Sequence, residues 1–223
     1  MPSSAQHTER SEKTMDRKAR TKHHILQTAA GLFADQGPDA TTIDDIVNTA
    51  GVAKGTFYNY FEDRPAVQRL IAAEIRRKLT ASVKQMNANI ADPAERVARG
   101  LKLYLSLAYI DPVSARILAR LYNTPSTNKR PVDKPLIADL AAGIEAGRFN
   151  VPTVEVALHL VLGLSLIGMQ HLLTHGAGEE VLRGEGYAQE ATRTLLQGLG
   201  MKKRDIDRVL LKPFSFDPTI FVR

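Results

Sequence analysis

The 223-residue chain has no cysteine. That excludes a disulfide framework and any thiolate metal site, and it fits a reducing cytoplasm. Residues 1–16 are polar and lack the apolar core of a secretory signal. No stretch alternates with the period of a strand, and no internal repeat is evident, so the expected class is all-α. There is no P-loop, no GxGxxG and no nucleophile elbow, so nothing here points to an enzyme or to a cofactor. The histidines form no metal constellation either. His23 and His24 are adjacent, and a helix splays neighbours by about 100°. His171 and His175 stand four apart without a carboxylate pair at ligand spacing.

Positive charge is also missing where a nucleic-acid binder would be expected to carry it. The formal charge is +6, yet residues 1–64 hold 8 Lys/Arg against 9 Asp/Glu. Residues 65–150 hold 14 against 7, and residues 151–223 hold 8 against 8. Any attraction for DNA must come from local placement. One such place is Arg10 to Lys22, with six Lys/Arg against Glu12 and Asp16. That basic stretch suits either a phosphate-binding arm or a solvated tail.

What is present centres on Thr41 to Phe61, TTIDDIVNTAGVAKGTFYNYF. Thr42 stands three residues before Asp45, a capping arrangement, and Asp44 and Asp45 suit the positive end of a helix. Ile43, Ile46, Val47 and Ala50 recur at helical spacing. Gly51 stops that helix, since it tolerates a left-handed cap. A second helix is expected from about Lys54 through Phe61. Phe57 and Phe61 face inward, Lys54, Thr56, Asn59 and Tyr60 face outward, and Tyr58 lies at the edge. Such a polar second face suits a recognition helix in the DNA major groove; it also suits an ordinary helical hairpin.

The string G-V-x-K-G-T-x-Y-x-Y-F, preceded by T-T-x-x-x-I, resembles the DNA-binding domain of the TetR family of transcriptional regulators. So does the upstream I-L-x-x-A-x-x-L-F-x-x-x-G from Ile25 to Gly37. The resemblance covers about Arg20 to Leu70, and farther on G-x-x-x-G-R-F from Gly143 to Phe149 is also similar to the family. It implies that Thr42, Lys54, Thr56, Tyr58, Tyr60 and Arg64 hold phosphates. Asn59, with Lys54 or Thr56, is the candidate for base readout, and Gly55 lets the backbone approach DNA. Three positions depart from the family pattern. Ala53 stands where a capping Ser or Thr is frequent, Pro65 where Glu is frequent, and Asn59 where an aromatic or histidine is frequent.

The remaining sequence is expected to be helical. A disordered arm spans residues 1–16, and a three-helix DNA-binding domain spans 17–64, its first helix running from about Arg17 to Gln36. An effector-binding and dimerisation domain spans 65–223. Glu62-Asp63-Arg64-Pro65 begins a helix to about Asn89, with Val67, Leu70, Ile71, Ile75 and Leu79 on its apolar side. Asp92-Pro93-Ala94-Glu95 begins another, ending near Ile110. Asp111-Pro112 starts a third. Residues 123–135 read as a loop, and a helix follows from Lys134 to Gly147. Thr153 to Thr174 is apolar all round and nearly reaches the roughly 20 residues of a membrane span. Glu155, His159, Gln170 and His171 interrupt it, so the expectation is a buried helix. Gly186 to Leu199 forms the last long helix, Ile206 to Leu211 a short one, and the tail from Pro213 is extended.

The implied function is a homodimeric, cytoplasmic repressor, released from a double-stranded DNA operator by a small-molecule effector, without a membrane. Effector-pocket candidates, taken from apolar helix faces, are Leu101, Tyr104, Leu105, Ile117, Leu121, Leu140, Leu162 and Met169. Dimer-interface candidates are Gly163, Leu166, Gln170 and Leu195. The alternatives are a helical small-molecule binder or enzyme with a vestigial first domain, and an architectural DNA-binding protein without an effector.

Overall fold

The computed structural model describes residues 4–123, 134–175 and 181–216, with side chains from Arg17 to Arg120, Lys134 to His175 and Gly186 to Phe216. The described residues form helices α1 (Ser4–Asp35), α2 (Ile43–Ala50), α3 (Lys54–Tyr58), α4 (Arg64–Met86) and α5 (Pro93–Ile110). They continue with α6 (Pro112–Asn123), α7 (Lys134–Glu145), α8 (Val154–Thr174), α9 (Val181–Gly198) and α10 (Lys203–Leu210). Contacts divide the chain into two compact units, Met1–Glu74 and Ile75–Arg223. The division falls inside α4, beyond the 64/65 boundary read from the sequence. A long helix carries no composition signal for such a point.

In the first unit, Ile25, Ala29 and Phe33 of α1, Ile46 and Val47 of α2, Phe57 of α3, Phe61 and Val67 are all buried. α1 reaches back to Ser4, ahead of the expected start near Arg17. No proline or glycine occurs between Ser4 and Ala30, and extending an established helix costs far less than nucleating one. Composition alone hides this. α4 begins as expected, with Asp63 Oδ1 accepting from the Ala66 N–H at 2.6 Å. It ends at Met86, three residues early. Leu70, expected on its apolar side, is exposed, and Ala72 is buried instead.

The second unit is built around α5, which packs against α6, α7, α8, α9 and α10. Asp92 caps α5 by accepting from the Ala94 N–H at 3.0 Å, and Asp111 does the same for α6 through the Ser114 N–H at 3.0 Å. The G-x-x-x-G-R-F string has a structural explanation. Gly143 lies under the buried Phe149 ring, where a Cβ would overlap the ring. The Gly143 carbonyl accepts from the Arg148 and Phe149 N–H groups at 2.8 and 3.0 Å. This turn aims Arg148 at Asp92, with Nε to Oδ1 at 3.1 Å and Nη2 to Oδ2 at 2.6 Å. The end of α7 is thereby clamped to the start of α5.

Burial pushes the Asp92 carboxyl up, but the hydrogen bonds from Arg148 and the Ala94 N–H, with the charges of Arg148 and Arg96, outweigh it and leave the carboxyl below its ordinary 3.8. A depressed carboxylate stabilises the fold above its unfolded pKa, and the gain disappears as pH falls through the lower folded value. Arg148→Met leaves the burial penalty unopposed by its partner. The variant is expected to lose about 1–2 kcal/mol at neutral pH, allowing for solvent screening. That corresponds to about 2–8 °C in melting temperature. Because the gain belongs to ionised Asp92, the difference from wild type should shrink as pH falls through the folded value, the variant losing less stability toward acid than wild type does. Superimposable melting curves from pH 7 down to pH 4 would show that the clamp contributes nothing.

α8 starts at Thr153, whose hydroxyl accepts from the Val156 N–H at 3.2 Å. It packs against α5, α6, α7 and α9, through Ala157, Val161, Ser165, Gly168, Met169 and Leu172. The opposite face is open: Val156 is 43% exposed, Leu160 39% and Ile167 61%. Expecting this helix to be buried all round was therefore half right, since one chain covers only one side. By length and composition α8 could also cross a membrane, and 28% of its apolar window is buried. α9 begins at Val181, ahead of the expected Gly186. Most of the expected loop 123–135, residues 124–133, lies outside the described residues. The tail shows no regular structure at 213–216, and 217–223 also lie outside.

Candidate nucleic-acid interface

α2 is fixed by a reciprocal cap. Thr42 Oγ1 accepts from the Asp45 N–H at 3.1 Å, while Asp45 Oδ2 accepts from the Thr42 N–H and hydroxyl, each at 2.8 Å. These bonds, the backbone one foremost, hold the Asp45 carboxyl below its ordinary range. At the other end Gly51 adopts φ 64°, ψ 33°, a left-handed conformation that glycine enters without strain. The Val52 N–H then closes onto the Val47 carbonyl at 3.0 Å. Cap and stop flank the eight residues of α2 and act through bonds to near neighbours in sequence, so they set the turn locally.

α3 is shorter than expected, ending at Tyr58. The Tyr60 and Phe61 N–H groups still bond to the Phe57 carbonyl, each at 3.0 Å, so the turn carries on to Phe61. Ala53 gives no side-chain cap. Phe57 and Phe61 are buried, with ring centroids 5.3 Å apart, and they anchor the inner side. Lys54, Gly55, Tyr58 and Asn59 are exposed, and Thr56 and Tyr60 half-buried. Tyr58 is 52% exposed and stands edge-on to Phe57 at 5.6 Å, so it belongs to the outer face and not its edge. Gly55 has open space where a Cβ would project.

Three of the expected phosphate-holding residues already have partners. The Thr42 hydroxyl is taken up by the cap. Arg64 Nη1 donates to the Thr41 carbonyl at 3.3 Å, with Nη2 3.7 Å from Asp39. Lys54 Nζ lies 2.8 Å from Asp44 Oδ1 and 3.1 Å from Oδ2. The hydrogen bond and charge of Asp44 raise the Lys54 ammonium above its usual pKa. The sequence reading missed the Asp44 pairing. It also missed that α1 meets the end of α3. A cleft of about 620 Å³ is lined by Lys18, Ala19, Lys22, Asn59 and Tyr60. Lys22 Nζ sits 6.0 Å from the Phe61 ring centroid. The available signal was the four-residue spacing of Lys18 and Lys22, which puts both on one face of α1.

In the second unit, Leu101, Leu105, Ile117, Leu140 and Met169 are buried, and Tyr104 and Leu162 are half-buried. They come from α5 to α8, which pack together. The Leu121 side chain lies outside the described residues. Of the dimer candidates, Gly163 is exposed and Leu166 and Gln170 are half-buried. Leu195 is 3% exposed, which corrects its placement. It continues the inner stripe of Ala188, Ala191 and Thr192 and belongs to the core of the single chain.

The family model for bacterial regulatory proteins of the tetR family matches residues 25–67. A second model, the Tetracyclin repressor-like C-terminal domain, matches residues 92–211, more than half of the chain. The chain belongs to the TetR family. The HTH-type transcriptional regulator EthR of Mycolicibacterium smegmatis is 28% identical over 162 residues, covering 70% of this chain and 75% of EthR. Other curated relatives match over less, the aligned region being 41% to 45% of their own length. The solved structure of RolR with resorcinol has a TM-score of 0.61 at 20% identity, covering 90% of this chain and 97% of RolR. AibR, solved with isovaleryl coenzyme A and operator DNA, has a TM-score of 0.60 at 18% identity, covering 79% of this chain and 98% of AibR. At such identities the likeness shows the fold.

Proposed function

We propose that this chain is a DNA-binding transcriptional repressor that acts as a cytoplasmic homodimer and leaves its operator when a small molecule binds the second unit. The observation that carries the reading is the locked α2–turn–α3 unit. Its inner side is fixed by Phe57 and Phe61, and its outer side presents exposed Tyr58 and Asn59 with half-buried Thr56 beside them. A helix so presented fits the major groove. Asn59 and Thr56 suit base edges. Tyr58, Tyr60, Lys18 and Lys22 suit phosphates, with Lys54 joining once it leaves Asp44. Thr42 and Arg64, held by their own fold, support the interface mainly by placing α2 and the turn before α4. A homodimer would space two such helices about 34–36 Å apart, or a multiple of that.

The effector is a small molecule with an apolar or aromatic part, in keeping with the side chains of Leu101, Leu105, Ile117, Leu140 and Met169, with the resorcinol carried by RolR and with the isovaleryl group of the ligand carried by AibR. Footprinting on the DNA beside the chain's own gene, followed by a metabolite screen for release, tests the whole reading. For the contacts, Tyr60→Ala and Lys54→Ala are each expected to weaken operator binding by about tenfold to a hundredfold. Wild-type affinity for both in a mobility-shift titration at fixed salt would remove α3 from the interface.

A further inference from the structure

Asp44 stands in the first turn of α2 but takes no part in its cap, which Thr42 and Asp45 complete between them. Its contacts go to α3 instead, where both carboxylate oxygens engage Lys54 Nζ. The two side chains are 62% and 53% exposed, so the pair lies on the open surface, on the same outer side as Tyr58. We propose that Asp44 is a specificity-determining residue of the DNA interface, occupying Lys54 as a stand-in for phosphate and so suppressing binding to DNA that is not operator. This rests on reading α3 as the recognition helix.

The argument is one of exchange. An exposed ion pair is weak, so a phosphate can displace it. While paired, Lys54 and Asp44 together present no net charge. Binding to random DNA is almost wholly phosphate neutralisation, so it loses one cation's worth of attraction. On the operator, base contacts from Asn59 and Thr56 fix α3 in the groove. The Lys54 side chain can then swing to a phosphate whose position is set. The pair therefore penalises random DNA more than operator.

The test uses the full-length protein with operator and scrambled duplexes of equal length, followed by fluorescence anisotropy over a salt series. Asp44→Asn is expected to bind the scrambled duplex about three- to tenfold more tightly, and operator by less, so the specificity ratio falls. Its plot of log K against log salt for scrambled DNA should steepen by about 0.9, one phosphate's worth. Asp44→Glu keeps the charge and should retain the wild-type ratio, and thermal melts check that each variant is folded. In a Lys54→Gln background, Asp44→Asn should change scrambled-DNA affinity by less than about twofold, because its partner is gone. An equal gain in that background would show a general charge effect and overturn the proposal, as would a folded Asp44→Asn variant with an unchanged or higher ratio. Wild-type protein that prefers no duplex would overturn the recognition reading and this proposal with it.

Discussion

Ile167→Glu is expected to give a monomer whose operator affinity is lower by about a hundredfold or more, although Ile167 lies in the second unit. Val156, Leu160, Gly163 and Ile167 recur along α8 at spacings of four, three and four residues, which is one helical face. All four are exposed in the single chain. A stripe of apolar side chains with glycine at its centre is what antiparallel or crossed helices use to approach closely. A charge placed on it must be desolvated without a partner if the stripe is covered. The effect on DNA follows from valency. Two linked heads convert the second contact into an intramolecular one, a gain of about 10²–10⁴ that a monomer forfeits. Gly163→Arg should act in the same way. Sedimentation equilibrium decides the matter: a monomeric wild type, or a dimeric Ile167→Glu protein with normal operator binding, would leave the open face of α8 without this role.

Gly143→Leu should produce a large loss of stability in the second unit. Any Cβ at Gly143 runs into the Phe149 ring, and Phe149 is itself buried. The ring belongs to the turn in which the Gly143 carbonyl accepts from the Arg148 and Phe149 N–H groups, so displacing it disturbs that turn. That turn also aims Arg148 at Asp92. Overpacking and loss of the clamp together are expected to cost about 3 kcal/mol or more. For a protein of this size that is roughly 6–12 °C. Differential scanning calorimetry on Gly143→Leu, with Gly143→Ala as the milder companion, measures it. A melting temperature within a degree of wild type in both would mean that Phe149 has room to yield.

The sequence was most legible where the determinants are neighbours. Thr42 and Asp45, Gly51, and Asp92 with Pro93 each set a local backbone state, and each does so in the structure. Phe57 and Phe61 were legible through helical spacing. Pairings across long separations were not. Asp92 and Arg148 lie 56 residues apart, and no periodicity connects them. Lys54 and Asp44 are separated by ten residues and a turn, so a pattern that marks both as exposed cannot say that they meet. Leu195 and Leu70 show a further limit. An apolar residue on a helix of mixed surface can face the core, a partner or solvent, and its side is decided by which helices pack where. For α8, apolar on every side, periodicity gives no direction at all.

Gly55 separates two kinds of selection. Nothing lies within 4 Å of the place where its side chain would project, and its backbone angle is not of the left-handed kind. Folding therefore imposes no demand for glycine there, and alanine would favour the helix by about 1 kcal/mol. A substitution library at this position, sorted only for soluble expression, should accumulate alanine. The same library sorted for silencing of a reporter gene should return glycine, because the constraint comes from a molecule that is present only when the protein is at work.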